Sequence, residues 1–382
     1  MSRIVFFLTF FSVYGLLNFY IARRALQAFE MIPFPAKIIL GFVFLFFAFG
    51  YIISKAAFSG EGNWLYDMLT LAGSYWMAAI VYILLSLLLI DIFRLVNNYA
   101  HIVTFTKQNL PMVKFYAGSA VLFMAIVLMV YGRYHASDIK VRSYNITLPK
   151  KQSELTHLKV AFFSDSHFTS ILNTQLGRKI HGLIAEHKPD LVLLGGDVID
   201  DRVSVLKRHN VDVALQNINA PMGVFTCVGN HEYIADALLA EKYLNENGIA
   251  VIRDTVSILE GKLNIIGRDD YSVGSFVPGK RKELIELVTM ADPNLPTILL
   301  DHQPRNLEQA QNAGIDLQLS GHTHEGQFFP GNLIVKKVYE LAVGYLKKGN
   351  TQYIVSSGIG TWGPPIRLGT DSEFIVININ FE

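Results

Sequence analysis

Aspartate, asparagine and histidine recur through the middle of this chain in five short clusters. They are Asp165-Ser166-His167, Gly196-Asp197-Val198-Ile199-Asp200, Gly229-Asn230-His231-Glu232, Asp301-His302 and Gly321-His322-Thr323-His324. Together they offer imidazole nitrogens and carboxylate or amide oxygens, and no thiolate. Such donors suit manganese, iron or zinc better than copper or an iron–sulfur cluster. A carboxylate has two usable oxygens and can bridge two cations. Two cations about 3.5–4 Å apart clamp an in-line displacement at phosphorus and acidify a shared water. The glycines beside these residues fit tight turns that bring backbone close to a site.

Each cluster follows a short apolar run that reads as a buried strand: residues 159–164, 190–195, 223–228, 296–300 and 315–319. Helix-like patterns lie between them at 174–186, 234–245 and 280–290. Strands alternating with helices predict an α/β domain with a layered sheet, and sites in such folds assemble past the carboxyl ends of strands. Taken singly, an Asp or Asn at a strand end serves a turn or a cap. Five successive strand ends delivering Asp, Asn or His point instead to one shared site. The last stretch, 352–381, reads as paired β-strands around a Gly/Pro-rich loop.

The first third of the chain is different. Of the 382 residues 51% are hydrophobic and only 17% charged, against roughly 25% charged in a soluble domain. Four apolar stretches, residues 4–22, 38–54, 69–90 and 115–132, each approach the ~20 residues that cross a bilayer as helix. Arg23-Arg24, Lys55, Asp91 with Arg94, and Arg133 bracket them, with Tyr and Trp near the ends. The spans carry no charge at their centres, so the bundle reads as an anchor and not an ion pathway. Residues 1–135 are thus expected to form a four-helix transmembrane anchor, 136–157 a linker and first strand region, and 158–382 the catalytic domain. Basic residues in the loops after the first and third spans favour a multi-pass protein with its C-terminal domain outside the cytoplasm. A net charge of +1 and the lack of a long basic run exclude nucleic acid as the expected partner.

The order Asp-x-His, Gly-Asp-x-x-Asp, Gly-Asn-His-Glu, a lone His and Gly-His-x-His resembles the calcineurin-like metallophosphoesterase family. The tail from Ser357 to Arg367, Ser-Gly-Ile-Gly-Thr-Trp-Gly-Pro-Pro-Ile-Arg, is similar to that of its membrane-linked bacterial branch. The resemblance implies a four-layer α-β-β-α sandwich that binds two divalent metal ions. It assigns Asp165, His167 and His324 to one ion, Asn230, His302 and His322 to the other, and Asp197 as the bridge. It makes His231 the group that protonates the leaving oxygen and Glu232 a neighbour that helps to orient it. Glu325 departs from the branch, which often has Gly there.

The implied activity is hydrolysis of a phosphoester or pyrophosphate in a lipid-linked or envelope substrate at a bacterial inner or plasma membrane. A rival substrate is UDP-2,3-diacylglucosamine, whose pyrophosphate would be cut on the cytoplasmic side. A rival class is a transporter or non-catalytic membrane scaffold with a metal-binding domain; the intact ligand set and His231 count against it. Several residues carry open readings. Asp200 serves as a ligand-orienting partner or as a helix cap. Arg367 contacts phosphate or makes a surface ion pair. Phe168, Phe328, Phe329 and Trp362 line an apolar entrance or, as favoured here, pack. The single cysteine, Cys227, reads as core, and His157, His181, His187 and His209 as surface or satisfied residues.

Overall fold

The computed structural model describes residues 3–382; of residues 3, 4, 6 and 7 it describes the backbone alone. It divides into two compact units, Met1–Gly132 and Arg133–Glu382.

Four helices open the chain: α1 (Arg3–Ala28), α2 (Phe34–Ala57), α3 (Trp64–Ala100) and α4 (Leu110–Ala136). Among the described residues three helices, not four, are long and apolar enough to cross a membrane, namely α2, α3 and α4. The expected first span begins on residues whose side chains lie outside the description. Its described part is interrupted by Asn18, a buried amide that accepts the Trp76 indole N–H at 2.9 Å, and it runs on into Arg23-Arg24. Arg24 pairs with Asp91 at 2.6 Å, so the carboxylate inside α3 is matched by a cation. Asn63 starts α3 by accepting the N–H groups of Leu65 and Tyr66.

The second unit holds two six-stranded sheets. One contains β1 (Lys140–Leu148), β2 (His157–Phe163), β3 (Leu191–Leu194), β4 (Val224–Thr226), β5 (Ala250–Val251) and β12 (Glu373–Phe381), in the order β1-β12-β2-β3-β4-β5. The other contains β6 (Thr255–Leu259), β7 (Leu263–Gly267), β8 (Thr297–Leu300), β9 (Leu317–Ser320), β10 (Gly344–Lys348) and β11 (Thr351–Val355), in the order β10-β11-β9-β8-β7-β6. Strands β2 to β5 run parallel, as do β7, β8, β9 and β11.

Strand periodicity builds the layers. Leu158, Val160 and Phe162 of β2 enter the core shared with Leu263, Ile298, Leu300, Leu317 and Leu319 of the other sheet. Ala161 and Phe163 point the opposite way, onto helices α5 (Thr174–His187), α6 (Val203–Arg208) and α7 (Val211–Gln216). Two short helices, α8 (Asn230–Ala235) and α9 (Ala237–Glu246), follow β4. The outer face of the second sheet packs Ile266 and Leu299 against α10 (Leu284–Thr289) and α11 (Glu308–Asn312). Burial on both faces is why these strands read as continuous apolar runs. Cys227 lies buried in the core between the sheets. One further helix, α12 (Gly331–Val338), follows the last His cluster.

Two sequence expectations are corrected. The strands at 351–355 and 373–381 do not pair with each other. β11 lies between β10 and β9, while β12 lies between β1 and β2, so the Gly/Pro-rich loop carries the chain from one sheet to the other. The helix expected over 234–245 is two helices, because Asp236 takes φ +87° and its carboxylate caps α9 by accepting the N–H of Leu238 and Leu239.

Candidate metal centre

Both sheets contribute. The ends of β2, β3 and β4 lead to Asp165 and His167, to Asp197 and Asp200, and to Asn230 and His231. The ends of β8 and β9 lead to His302 and to His322 and His324. The backbone there is unusual. Asp165, His167, Asp197, His322 and His324 all have positive φ, between +44° and +70°. Non-glycine residues in this region carry strain that surrounding structure must hold in place. Here the turns aim successive side chains at one point instead of letting them alternate.

Three residues form the first group. His167 Nε2 lies 3.0 Å from His324 Nε2, and His324 Nε2 lies 3.3 Å from Asp165 Oδ1. The second group is Asp197, His302 and His322, whose ligand atoms converge within 4.8 Å. His302 Nε2 is 3.1 Å from Asp197 Oδ2, and Asn230 Oδ1 is 2.9 Å from His322 Nδ1. Donor separations of roughly 3.0–3.4 Å are the polyhedron edges set by metal–ligand bonds of about 2.1 Å. The seven residues Asp165, His167, Asp197, Asn230, His302, His322 and His324 therefore occupy one neighbourhood.

The donor chemistry fits a cation. His302 Nδ1 donates to the Gly195 carbonyl at 2.7 Å, which leaves Nε2 with its lone pair toward Asp197. That Nε2 is buried with no hydrogen-bond partner. Two acceptors so close require a metal ion or a proton between them. Accordingly, burial works against the charged form of His302, but the Asp197 carboxylate outweighs it and holds the imidazole well above its ordinary pKa. Burial and the His302 charge push His322 down to about 4, and burial likewise takes His324 down to about 4. Both are therefore neutral near pH 7, the form that ligates metal. Asp165 and Asp197 stay ionised despite burial because of the histidines around them.

Around these seven residues lies a tight supporting layer. Asp165 accepts the Ser164 hydroxyl and the His322 N–H. Asp197 Oδ1 accepts the His231 N–H at 2.8 Å. Asp200 contacts two rings, His231 Nδ1 at 2.5 Å and His167 Nδ1 at 3.4 Å. It does orient side chains, and the helix-cap reading does not apply. Glu232 departs from the expectation that it orients His231. Fully buried, it accepts the N–H groups of Asp197, Val198, Ile199 and Gly229. It thus fastens the turn carrying Asp197 to the turn carrying Asn230. A glutamate three residues past the helix N-cap Gly229 is the sequence signal for such a clamp.

Arg367 overturns both of its readings. Its guanidinium is wholly buried and donates to the carbonyls of Ser357, Gly358 and Gly360 at 2.6–3.0 Å. It neither meets phosphate nor sits at the surface; it staples the tail loop beside His324. Burial lowers its pKa to about 10, so it remains charged. Phe168 packs in the core, whereas Phe329 and Trp362 are about half exposed. The charge of Glu325 is met by Lys336 at 2.9 Å. His157 and His181 contact Asn380 Oδ1 and the Asn217 carbonyl, away from the site.

Residues 158–326 match the sequence model of the calcineurin-like phosphoesterases. An uncharacterised metallophosphoesterase of Helicobacter pylori (strain J99) is 34% identical over 245 residues, 63% of this chain and 64% of its own. One from Aquifex aeolicus is 30% identical over 269 residues, 68% of this chain and 98% of its own. A transmembrane protein with metallophosphoesterase domain from Danio rerio is 29% identical over 264 residues, 66% of this chain and 60% of its own. The chain thus spans less than two thirds of the Helicobacter and Danio relatives and nearly all of the Aquifex one.

Proposed function

This chain belongs to the calcineurin-like phosphoesterase family, and on that premise we propose that it is a membrane-anchored hydrolase working with two divalent cations. Its reaction is the splitting of a phosphoester or pyrophosphate bond. The observation that carries the reading is the position of Asp197. Its Oδ2 lies 3.1 Å from His302 Nε2 and 3.8 Å from His167 Nε2, so one oxygen serves both donor groups.

Bound cations supply Lewis acidity at phosphorus and acidify water there. The protein's part is to fix geometry and protons. Asp165, His167 and His324 would hold one cation, Asn230, His302 and His322 the other, and Asp197 would serve both. Burial disfavours charge on His231, but Asp200 and Asp197 prevail and raise its pKa to about 10. It is protonated at neutral pH, with Nδ1 committed to Asp200. Its Nε2 is the atom that hands a proton to the departing oxygen.

A lipid-linked or envelope substrate is supported by the surface beyond His231. Ile234, Leu238 and Leu239 on α8 and α9, and Phe276 near Tyr233, are all at least half exposed, as an acyl-bearing substrate requires. Basic residues in the loops after the first and third apolar stretches support a domain outside the cytoplasm, against the pull of Arg133, Lys140 and Arg142 after the last one. Such a domain favours an envelope phosphoester over UDP-2,3-diacylglucosamine.

The test is turnover of the purified full chain, with manganese, on a bis-aryl phosphodiester and an aryl phosphomonoester, beside Asp197→Ala. Metal-dependent turnover lost in the variant is expected. A chain that binds no divalent metal refutes the reading.

A further inference from the structure

Helix α12 follows directly on the turn that carries His322 and His324, and none of its residues is buried. Leu333, Ile334 and Val338 are each more than half exposed. Phe329, just before the helix, and Trp362 add two aromatic rings. Trp362 is fixed to this region, because its N–H donates to Gln327 Oε1 and its carbonyl accepts from Gln327 Nε2. Five large apolar side chains in water at one place mark a contact surface. Lys337 is exposed among them, on a stem long enough to lift its ammonium clear of an apolar phase. Apolar residues, aromatic rings and lysine on a short helix are the composition of an interfacial element.

The same chain says what covers this face. Helices α2, α3 and α4 are long and apolar enough to cross a membrane. Within the unit Arg133–Glu382, Arg133 and Ala136 of the last turn of α4 line one cavity with Gly360 and Thr361. Trp362 is the next residue. The aromatic end of the patch therefore lies beside the point where the chain leaves its last apolar helix.

We propose that α12, with Phe329 and Trp362, docks into the surface of the bilayer that holds the anchor. The docked face borders the metal centre. Tyr339, at the end of α12, has its ring 6.2 Å from that of His322, and Lys336 holds Glu325 next to His324. A phosphate in the headgroup layer then reaches the ligands without leaving the interface. The inference rests on the membrane-spanning reading of α2 to α4 and not on hydrolysis.

The experiment uses the full chain in phosphatidylcholine–phosphatidylglycerol nanodiscs. Leu333→Cys, Ile334→Cys and Val338→Cys are each labelled with an environment-sensitive dye, with Glu186→Cys on α5 as an exposed control. The native Cys227 is buried and does not compete. Because the replaced side chains are exposed, the variants fold. Labels on α12 are expected to show blue-shifted emission, quenching by nitroxide lipids and loss of iodide quenching, while the control stays aqueous. Iodide quenching on α12 equal to that at position 186 overturns the proposal. A blue shift without quenching by nitroxide lipids also overturns it, since the covering surface is then protein.

Discussion

Asp200 holds His231 through a 2.5 Å contact between Oδ1 and Nδ1, with both side chains largely buried. The pair sets the proton inventory of the site. Removing the charge with Asp200→Asn takes away the largest influence that raises the His231 pKa and leaves Asp197 and Glu232 against burial, so that pKa falls. Turnover of the variant is expected to drop about tenfold or more at neutral pH, as for other partners that orient a functional ring. The pH–rate profile discriminates: the decline with rising pH sets in at lower pH in the variant than in the wild type. A profile of unchanged shape removes His231 from the proton-donor role.

The same pair makes a signed prediction for stability of the metal-free protein. His231 is raised to about 10, so its stabilising share is complete below its unfolded pKa and fades as pH rises through the folded one. Asp200 is lowered, burial opposing and His231 prevailing, so its share is complete above its unfolded pKa and fades as pH falls. The thermal midpoint gap between wild type and His231→Ala is expected to be widest between about pH 4 and 6.5 and to narrow toward pH 10. Melting both proteins in chelator across that range checks it.

Metal affinity is expected to rise with pH. His302 is protonated in the metal-free protein because Asp197 overcomes its burial, and a ligand must lose its proton before it binds metal. The loss of one proton gives about a tenfold tighter apparent Kd per pH unit. Titration with manganese at pH 6, 7 and 8 measures the slope. In His302→Ala the slope flattens as affinity falls.

Much of the candidate centre is legible in the sequence because its donor residues sit two to four residues past the strand ends, where local turn geometry keeps them. Asp165 and His167 follow β2, and His322 and His324 follow β9. What escapes the sequence is non-local. Glu232 sits beside His231 in the chain, yet its carboxylate turns to amides at 197–199. Arg367 looks like a surface cation until the loop from β11 to β12 folds around it. Nothing in the order of strands says that β11 and β12 belong to different sheets, since that depends on which neighbours complete each edge. Exposure of Leu333, Ile334 and Val338 is also invisible in a pattern that would serve equally for packing.

Arg367→Met tests the staple. Four carbonyls, those of His324, Ser357, Gly358 and Gly360, lose their donor, at about 1–3 kcal/mol for each buried group left unpaired. The variant is expected to be less stable by roughly 3 kcal/mol or more, with a thermal midpoint about 10 °C lower and KM unchanged in the folded fraction. A raised KM at unchanged stability would restore the phosphate-contact reading.

Gly229 isolates sterics from backbone strain. Its φ is −112°, which any residue adopts, so an added methyl is limited by space alone. A Cβ there would strike the Asp197 carboxylate, whose Oδ2 faces His302 of one donor group and His167 of the other. Gly229→Ala is therefore expected to displace Asp197, to lower bound metal and to cut turnover about a hundredfold or more, since misplacement by about 1 Å has that effect. Gly182→Ala is the counterpart. It lies within α5, nothing stands within 4 Å of an added Cβ, and alanine there stabilises a helix by roughly 0.5–1 kcal/mol. Metal content and thermal midpoint measured on both variants separate the two effects. Loss of metal in Gly229→Ala alone ties the glycine to the bridge, whereas equal metal in both would free Asp197 of any dependence on that close approach.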